Sequence, residues 1–284
     1  MAQHIKLKEK HQLKTGWLCA AWVILSCVFL SSSYAEQKQI TAAEIIKKAN
    51  EAVFFAGKDA VCTLRIEERD DEIPEGSLKL RILRFNGLND GSQKFYVYFV
   101  KPAMVSGIRY LAWKFPDKED ERWIYMPLLN FVQKIPHENK RTQFLKLHFT
   151  YEDVTGRKLD DDNYELEKAD GTGHYRIKSW PKDNKNMEFA YYYIWIRQKD
   201  FIPVKIEFID KDDHLIRLIE ALEIKTIEGY PTITKALIKD VAGYGEATLF
   251  FEDVHYNVGL TDDVFTEDSL RTIPDHWIYG EEDL

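Results

Sequence analysis

The sequence predicts a mainly β fold: an antiparallel sheet of many short strands preceded by one helix. Three observations carry that expectation. Short apolar or alternating runs recur about every 10–15 residues, split by turn-forming residues. One capping box opens a helical stripe near the N-terminus. Aromatic residues make up 13% of the chain and crowd into strands that are apolar on both faces. Such strands need cover on both sides, so the sheet either curls on itself or offers one face to a ligand.

The first 35 residues read as a secretory signal. Lys6, Lys8, Lys10 and Lys14 precede an uncharged run from Trp17 to Leu30, and Ser33-Tyr34-Ala35 places small residues before Glu36. The run is shorter than the roughly 18–20 residues a spanning helix needs. Cleavage is therefore expected after Ala35, leaving residues 36–284 as a single domain. An uncleaved anchor and a lipoprotein signal ending at Cys27 are the alternatives. Without the signal, 35 Lys+Arg face 46 Asp+Glu, a net charge of −11. That balance excludes nucleic acid as a partner, because counterion displacement needs a basic stripe. Cys62 is then the one cysteine left, too few for a disulfide or a thiolate metal cage, and its apolar setting predicts an inert core thiol.

The helix comes first. Thr41-Ala-Ala-Glu44 is the capping box, Ile45, Ile46, Ala49, Ala52 and Val53 form the apolar stripe, and Gly57 ends it. Strands follow near 60–68, 77–86, 93–100, 107–115, 121–127, 131–135, 163–168, 173–180, 189–197, 203–209, 214–225, 231–240 and 245–256. Tight breaks such as 86–91, 116–120, 210–213 and 228–229 join antiparallel neighbours; parallel ones would need long crossovers. The segment 136–162 is the one long irregular stretch, with a short helix expected around Thr142–Leu147. Residues 78–82 alternate apolar and basic, whereas 94–100 place Phe95, Val97 and Phe99 on one face and Tyr96, Tyr98 and Val100 on the other. Residues 189–196 are likewise apolar on both faces.

The chain shows no catalytic constellation. Its six histidines beyond the signal (137, 148, 174, 214, 255 and 276) form no close-spaced pair, and there is no His-Glu-x-x-His and no Gly-x-Ser-x-Gly. His148 lies near Glu152 and Asp153 but reads as an ordinary loop position. Asp160-Asp-Asp162 lacks calcium-loop spacing and reads as a solvated turn. No metal and no cofactor are expected, and a binding protein is favoured over an enzyme.

Five segments in order resemble the LolA-like outer-membrane lipoprotein-sorting family. Residues 101–111 resemble its Pro-x-x-x-x-Gly-x-x-Tyr/Phe-Leu strand, and 122–135 its W-x-Y-x-P-x-L-x-x-V-x-x-I strand pair. Phe149-Thr-Tyr-Glu-Asp153 resembles its Ser/Thr-Tyr-Glu-Asp segment, and 201–213 and 258–265 its later landmarks. Leu147-His148 departs from the small or polar residues expected there. The resemblance implies an incomplete antiparallel barrel, a half-barrel, with helices lidding an apolar cavity. It implies a periplasmic carrier of lipoprotein acyl chains or another lipid, working toward the outer membrane. An RND-type inner-membrane exporter or an outer-membrane acceptor would be its partner. The alternative is a lipid-sensing or scaffold subunit of an RND-type export complex that transfers nothing. On this reading the cavity candidates are Tyr96, Tyr98, Leu111, Trp113, Phe115, Trp123, Tyr125, Phe131, Phe149, Tyr192 and Ile194. The lid candidates are Ile45, Ala49, Val53, Phe144 and Leu147.

Overall fold

The computed structural model describes residues 40–279 apart from 70–77, 88–90, 145–149, 168–170, 186 and 244. The expected signal, and with it the cleavage site, lies outside the described residues, as do Leu147, His148 and Phe149.

Helix α1 (Ala42–Phe54) forms where the capping box places it. Thr41 Oγ1 accepts from the Glu44 backbone N–H at 3.2 Å, and the Glu44 carboxylate accepts from the Thr41 N–H at 2.8 Å. Ala42, Ile45, Ile46 and Ala49 are its buried stripe. The helix carries no basic residue in its last turn, and the sheet supplies the missing donors. Arg84 donates to the carbonyls of Val53 (3.2 Å) and Ala56, and Gln93 Nε2 donates to that of Phe54 at 2.7 Å.

The strands are β1 (Asp59–Arg69), β2 (Leu78–Asn86), β3 (Gln93–Lys101), β4 (Arg109–Lys114), β5 (Glu121–Met126), β6 (Phe131–Lys134), β7 (Asp162–Leu166), β8 (His174–Pro181), β9 (Tyr191–Arg197), β10 (Pro203–Ile209), β11 (Leu215–Ile227), β12 (Tyr230–Asp240) and β13 (Gly245–Tyr256). They form one antiparallel sheet of 13 strands in the order β6-β5-β4-β3-β2-β1-β13-β12-β11-β10-β9-β8-β7. The ladder does not close, so this is an incomplete barrel, as expected. Its edges are β6 and β7, which are consecutive in sequence. The connection between them, residues 135–161, is therefore a strap that leads from one edge of the sheet to the other.

The strap corrects one expectation. Residues 142–144 are not helical, and the short helix instead lies at α2 (Tyr151–Thr155). The reason is a second capping box: Thr150 Oγ1 accepts from the Asp153 N–H, and the Asp153 carboxylate accepts from the Thr150 N–H at 2.6 Å. Gly156 stops the helix at φ +73°, where an added Cβ would stand 2.7 Å from the Phe54 ring.

The two faces of the sheet have separate covers. On one face Leu64, Leu80, Phe95, Val97, Phe99, Tyr110 and Ile124 form a core with Phe144, Ala236, Ile238 and Leu249. On the other, Leu83, Tyr96, Tyr98, Leu111, Trp123 and Tyr125 pack beneath the C-terminal segment through Leu260, Val264, Phe265, Leu270 and Ile278. That segment includes a short helix, α3 (Asp275–Ile278). Directional bonds fasten it: Tyr96 Oη to the Ser269 carbonyl at 2.8 Å, Arg109 Nη1 to the Leu270 carbonyl at 2.7 Å, and Trp113 Nε1 to the Phe265 carbonyl at 2.8 Å.

Candidate functional site

Between α1, the strap and the sheet lies a cavity of about 460 Å³, within the size range that suits a small ligand. Helix α1 contributes Ile46, Ala49 and Val53. The sheet contributes Leu64, Ile82, Ile194, Ile206, Phe208, Ile219, Ile233, Ile238, Leu249 and Phe251. These residues come from seven strands that are consecutive in the sheet, β2-β1-β13-β12-β11-β10-β9. Period-two alternation, shifted by a register irregularity between β11 and β12, turns them onto one face.

The strap adds charge to the lining through Arg141, Glu152, Asp153 and Arg157. These groups are paired with one another or with the sheet. Glu152 accepts from Arg157 Nη1 at 2.7 Å and Arg141 Nη1 at 2.9 Å, with Lys140 Nζ at 3.3 Å. Asp153 receives both ends of the Arg217 guanidinium at 3.1 and 2.7 Å. Arg157 also grips Asp162, which accepts from Tyr192 Oη at 2.8 Å. Burial pushes the Glu152 carboxyl up, but Arg157, Arg141 and Lys140 together outweigh it and hold it below its ordinary value. Asp153 is likewise pushed up by burial and pulled further down by Arg217, Arg141 and the Thr150 N–H. Asp162 is accordingly buried in an ion pair and is not the solvated turn expected of the 160–162 run.

Of the residues singled out in the sequence, Tyr192, Ile194, Ala49 and Val53 line the cavity. Ile45 is buried beside it, packed with Ile177, Ile194 and Ile196. Tyr96, Tyr98, Leu111, Trp113, Trp123 and Tyr125 lie on the opposite face with the C-terminal segment. Phe144 is buried among the rings of Phe99, Tyr110 and Tyr151. Phe115 is half-buried under the Lys118 ammonium, 3.7 Å from its ring centroid, and Phe131 is exposed on β6. The apolar residues of β10–β13 that dominate the lining stood in the predicted strands, but nothing in their spacing marks one face as the cavity face. Cys62 lines the cavity too, and burial pushes its thiol up to about 11, so it stays protonated at neutral pH.

Among the described residues one group could meet a cation: Asp210, Asp212 and His214, with ligand atoms within 4.8 Å of one another. They belong to the β10–β11 turn, where Asp210 Oδ1 accepts from the N–H groups of Asp212 and His214 at 2.9 Å each. That is ordinary turn chemistry. No helix among the described residues is long and apolar enough to cross a membrane.

No curated protein matches the sequence. Solved structures do match the fold. A DUF1329 family protein from Desulfovibrio piger aligns with a TM-score of 0.72 at 20% identity, over 81% of this chain and 97% of its own. A putative outer membrane lipoprotein-sorting protein domain from Vibrio parahaemolyticus gives the same score and identity, over 81% and 98%. A LolA superfamily protein from Nitrosomonas europaea aligns at 0.62 and 20% identity, over 81% and 99%. At that identity the likeness establishes the fold, which is the LolA-like one. Residues 91–272 match a family model described as "Uncharacterized protein", and because that span exceeds half of the chain, the chain belongs to that family and carries the LolA-like fold.

Proposed function

We propose that this protein is a periplasmic carrier that shelters the acyl chains of a lipoprotein or another lipid in the cavity under α1 and moves them toward the outer membrane. The observation that carries the reading is the lining itself: an apolar chamber whose strap carboxylates are held in ion pairs and whose Arg84 is bonded to carbonyls at the end of α1. An acyl chain exposed to water costs about 0.8 kcal/mol per methylene, and a dry chamber removes that cost. Holding and releasing such a cargo needs no chemical step, only a cover with two states that differ by a few kcal/mol. Helix α1 and the strap are that cover. Export by a cleaved signal and a membrane protein as donor or acceptor belong to the same reading.

The test is loading. Native mass spectrometry of protein taken gently from the periplasm should show bound lipid, and delipidated protein should take up a fluorescent fatty acid. Ala49→Phe, which fills the chamber from α1, should weaken uptake at least ten-fold. Tyr96→Phe, on the opposite face, should leave it unchanged. Protein that carries no lipid and takes none up would sink the proposal. Stable loading without handover to acceptor vesicles would instead support a sensing or scaffold subunit.

A further inference from the structure

Two turns at one corner of the sheet stand out for their apolar side chains. Several other connections are strongly charged, as in Pro116-Asp-Lys-Glu-Asp120 and Asp210-Lys-Asp-Asp213. The β3–β4 connection with its flanks, 101–108, reads Lys-Pro-Ala-Met-Val-Ser-Gly-Ile, and the β5–β6 connection, 126–133, reads Met-Pro-Leu-Leu-Asn-Phe-Val-Gln. In a chain with 30% charged residues, these two segments hold one charge between them, Lys101, and it is positive. Both turns leave the same end of neighbouring strands, and they abut: a Cβ on Gly107 would lie 3.4 Å from Pro127.

Their apolar side chains point outward. Leu128 is 92% exposed, Met104 76%, Leu129 69% and Phe131 50%. These four are the larger part of the exposed large hydrophobics among the described residues. The turn backbones meanwhile satisfy many of their own hydrogen bonds. The N–H groups of Val105 and Ser106 donate to the Pro102 carbonyl, Gly107 to Phe99, Ile108 to Val105, and Asn130 to Pro127. Asn130 takes the left-handed conformation at φ 46°, which closes the second turn tightly behind the two leucines.

We propose that this corner is a membrane-insertion tip that dips into the headgroup region of an anionic lipid bilayer. Projecting leucines and methionine on internally bonded turns suit a soft lipid interface, which accepts apolar side chains but penalises unbonded backbone. The absence of acidic residues from both turns, in a strongly acidic chain, removes the repulsion that anionic lipid would otherwise exert, and Lys101 adds attraction. The proposal is separate from the cavity reading, and its test does not involve the cavity.

The test labels the full chain, with Cys19 and Cys27 replaced by Ser, at Leu129→Cys using a polarity-sensitive fluorophore. Cys62, half-buried in the cavity lining, is replaced by Ser as well. A matching label at Glu119→Cys, on an exposed turn at the far end of β4 and β5, reports any general tethering. With vesicles of phosphatidylethanolamine and phosphatidylglycerol, the 129 label should brighten several-fold and shift to the blue while the 119 label does not. Adding Leu128→Glu should weaken that response at least ten-fold, with the thermal unfolding curve unchanged. A 129 label that responds no more than the 119 label would overturn the proposal. So would a label that stays dark with vesicles but is shielded by a protein partner.

Discussion

Arg157 holds Asp162 with two nitrogens at once, Nε and Nη2 standing 2.8 and 2.7 Å from the two carboxylate oxygens, while its Nη1 reaches Glu152 at 2.7 Å. One side chain thereby ties α2, which carries Glu152, to the first residue of β7. The strap and the edge strand are thus joined through a buried charge network, beside an apolar cluster that holds Leu159 of the strap with Tyr164 and Leu166 of β7.

Replacing Arg157 by Met should cost about 3–5 kcal/mol of stability, because it strands two buried carboxylates. The pair Arg157→Met with Asp162→Leu should cost less than the two single changes summed, since the second removes a charge the first leaves unpaired. Urea unfolding of the four proteins, followed by circular dichroism, checks this.

Acid should weaken the fold through the same network. Glu152 and Asp153 are held below their ordinary values in the folded protein. The stability they confer is complete above the unfolded carboxylate range of about 4, and is lost as pH falls through their lower folded values. Unfolding free energy should stay level from pH 7 to about 5 as far as these groups decide it, then drop. Glu152→Gln should be less stable at pH 7, and its curve should converge on the unaltered one in acid.

Alkali should act in two opposed steps. Burial brings Lys114 down to about 8, and its Nζ donates to the carbonyls of Thr155 and Gly156 at 2.8 and 3.0 Å. Between about 8 and the unfolded lysine value of about 10.4 the unfolded chain binds the extra proton, so stability rises with pH. Tyr98, pushed up to about 12 by burial and by Tyr279, and the buried Tyr110 and Tyr192, also pushed up by burial, act the other way. They keep their protons in the fold after unfolded tyrosine ionises near 10, so stability falls beyond that point. Lys114→Met should erase the rise and keep the fall, as read from melting temperatures between pH 7 and 11.

Phe265 is fully buried between the sheet and the C-terminal segment, with the Phe85 ring 5.8 Å away. Phe265→Ala should cost about 3–5 kcal/mol. It should also leave fatty-acid uptake unchanged in the protein that remains folded, because that face is not the cavity face. Denaturation and uptake measured on the same preparation separate the two effects.

All thirteen strands and α1 were legible in the sequence because their signals are local: turn residues, alternation and a capping box. The short helix expected around Thr142–Leu147 is not formed at 142–144, whereas Thr150 with Asp153 closes the capping box that starts α2. The C-terminal cover was not legible at all. Leu260, Val264, Phe265, Leu270 and Ile278 follow neither a two-residue nor a helical period, so pattern reading sees a loop. The cavity suffered for the same reason. Alternation tells which residues share a face, as with Tyr96 and Tyr98, but not which cover lies over it. The ion network is long-range, and Asp162 finds Tyr192 across the sheet only once β7, β8 and β9 have paired.

The open ladder has a mechanical meaning. A closed cylinder has a fixed circumference, and enlarging its bore would tear backbone bonds. Here the wall is split between β6 and β7, and the two lips are joined by a covalent hinge strap, residues 135–161. The bore can dilate by parting the lips with all twelve strand pairings intact. Its limit is the reach of that strap and the ionic clasps along it. On the proposed carrier reading, one scaffold would then admit cargo of different girth, and loosening a clasp such as Arg157 should widen the range of girths accepted before it unfolds the wall.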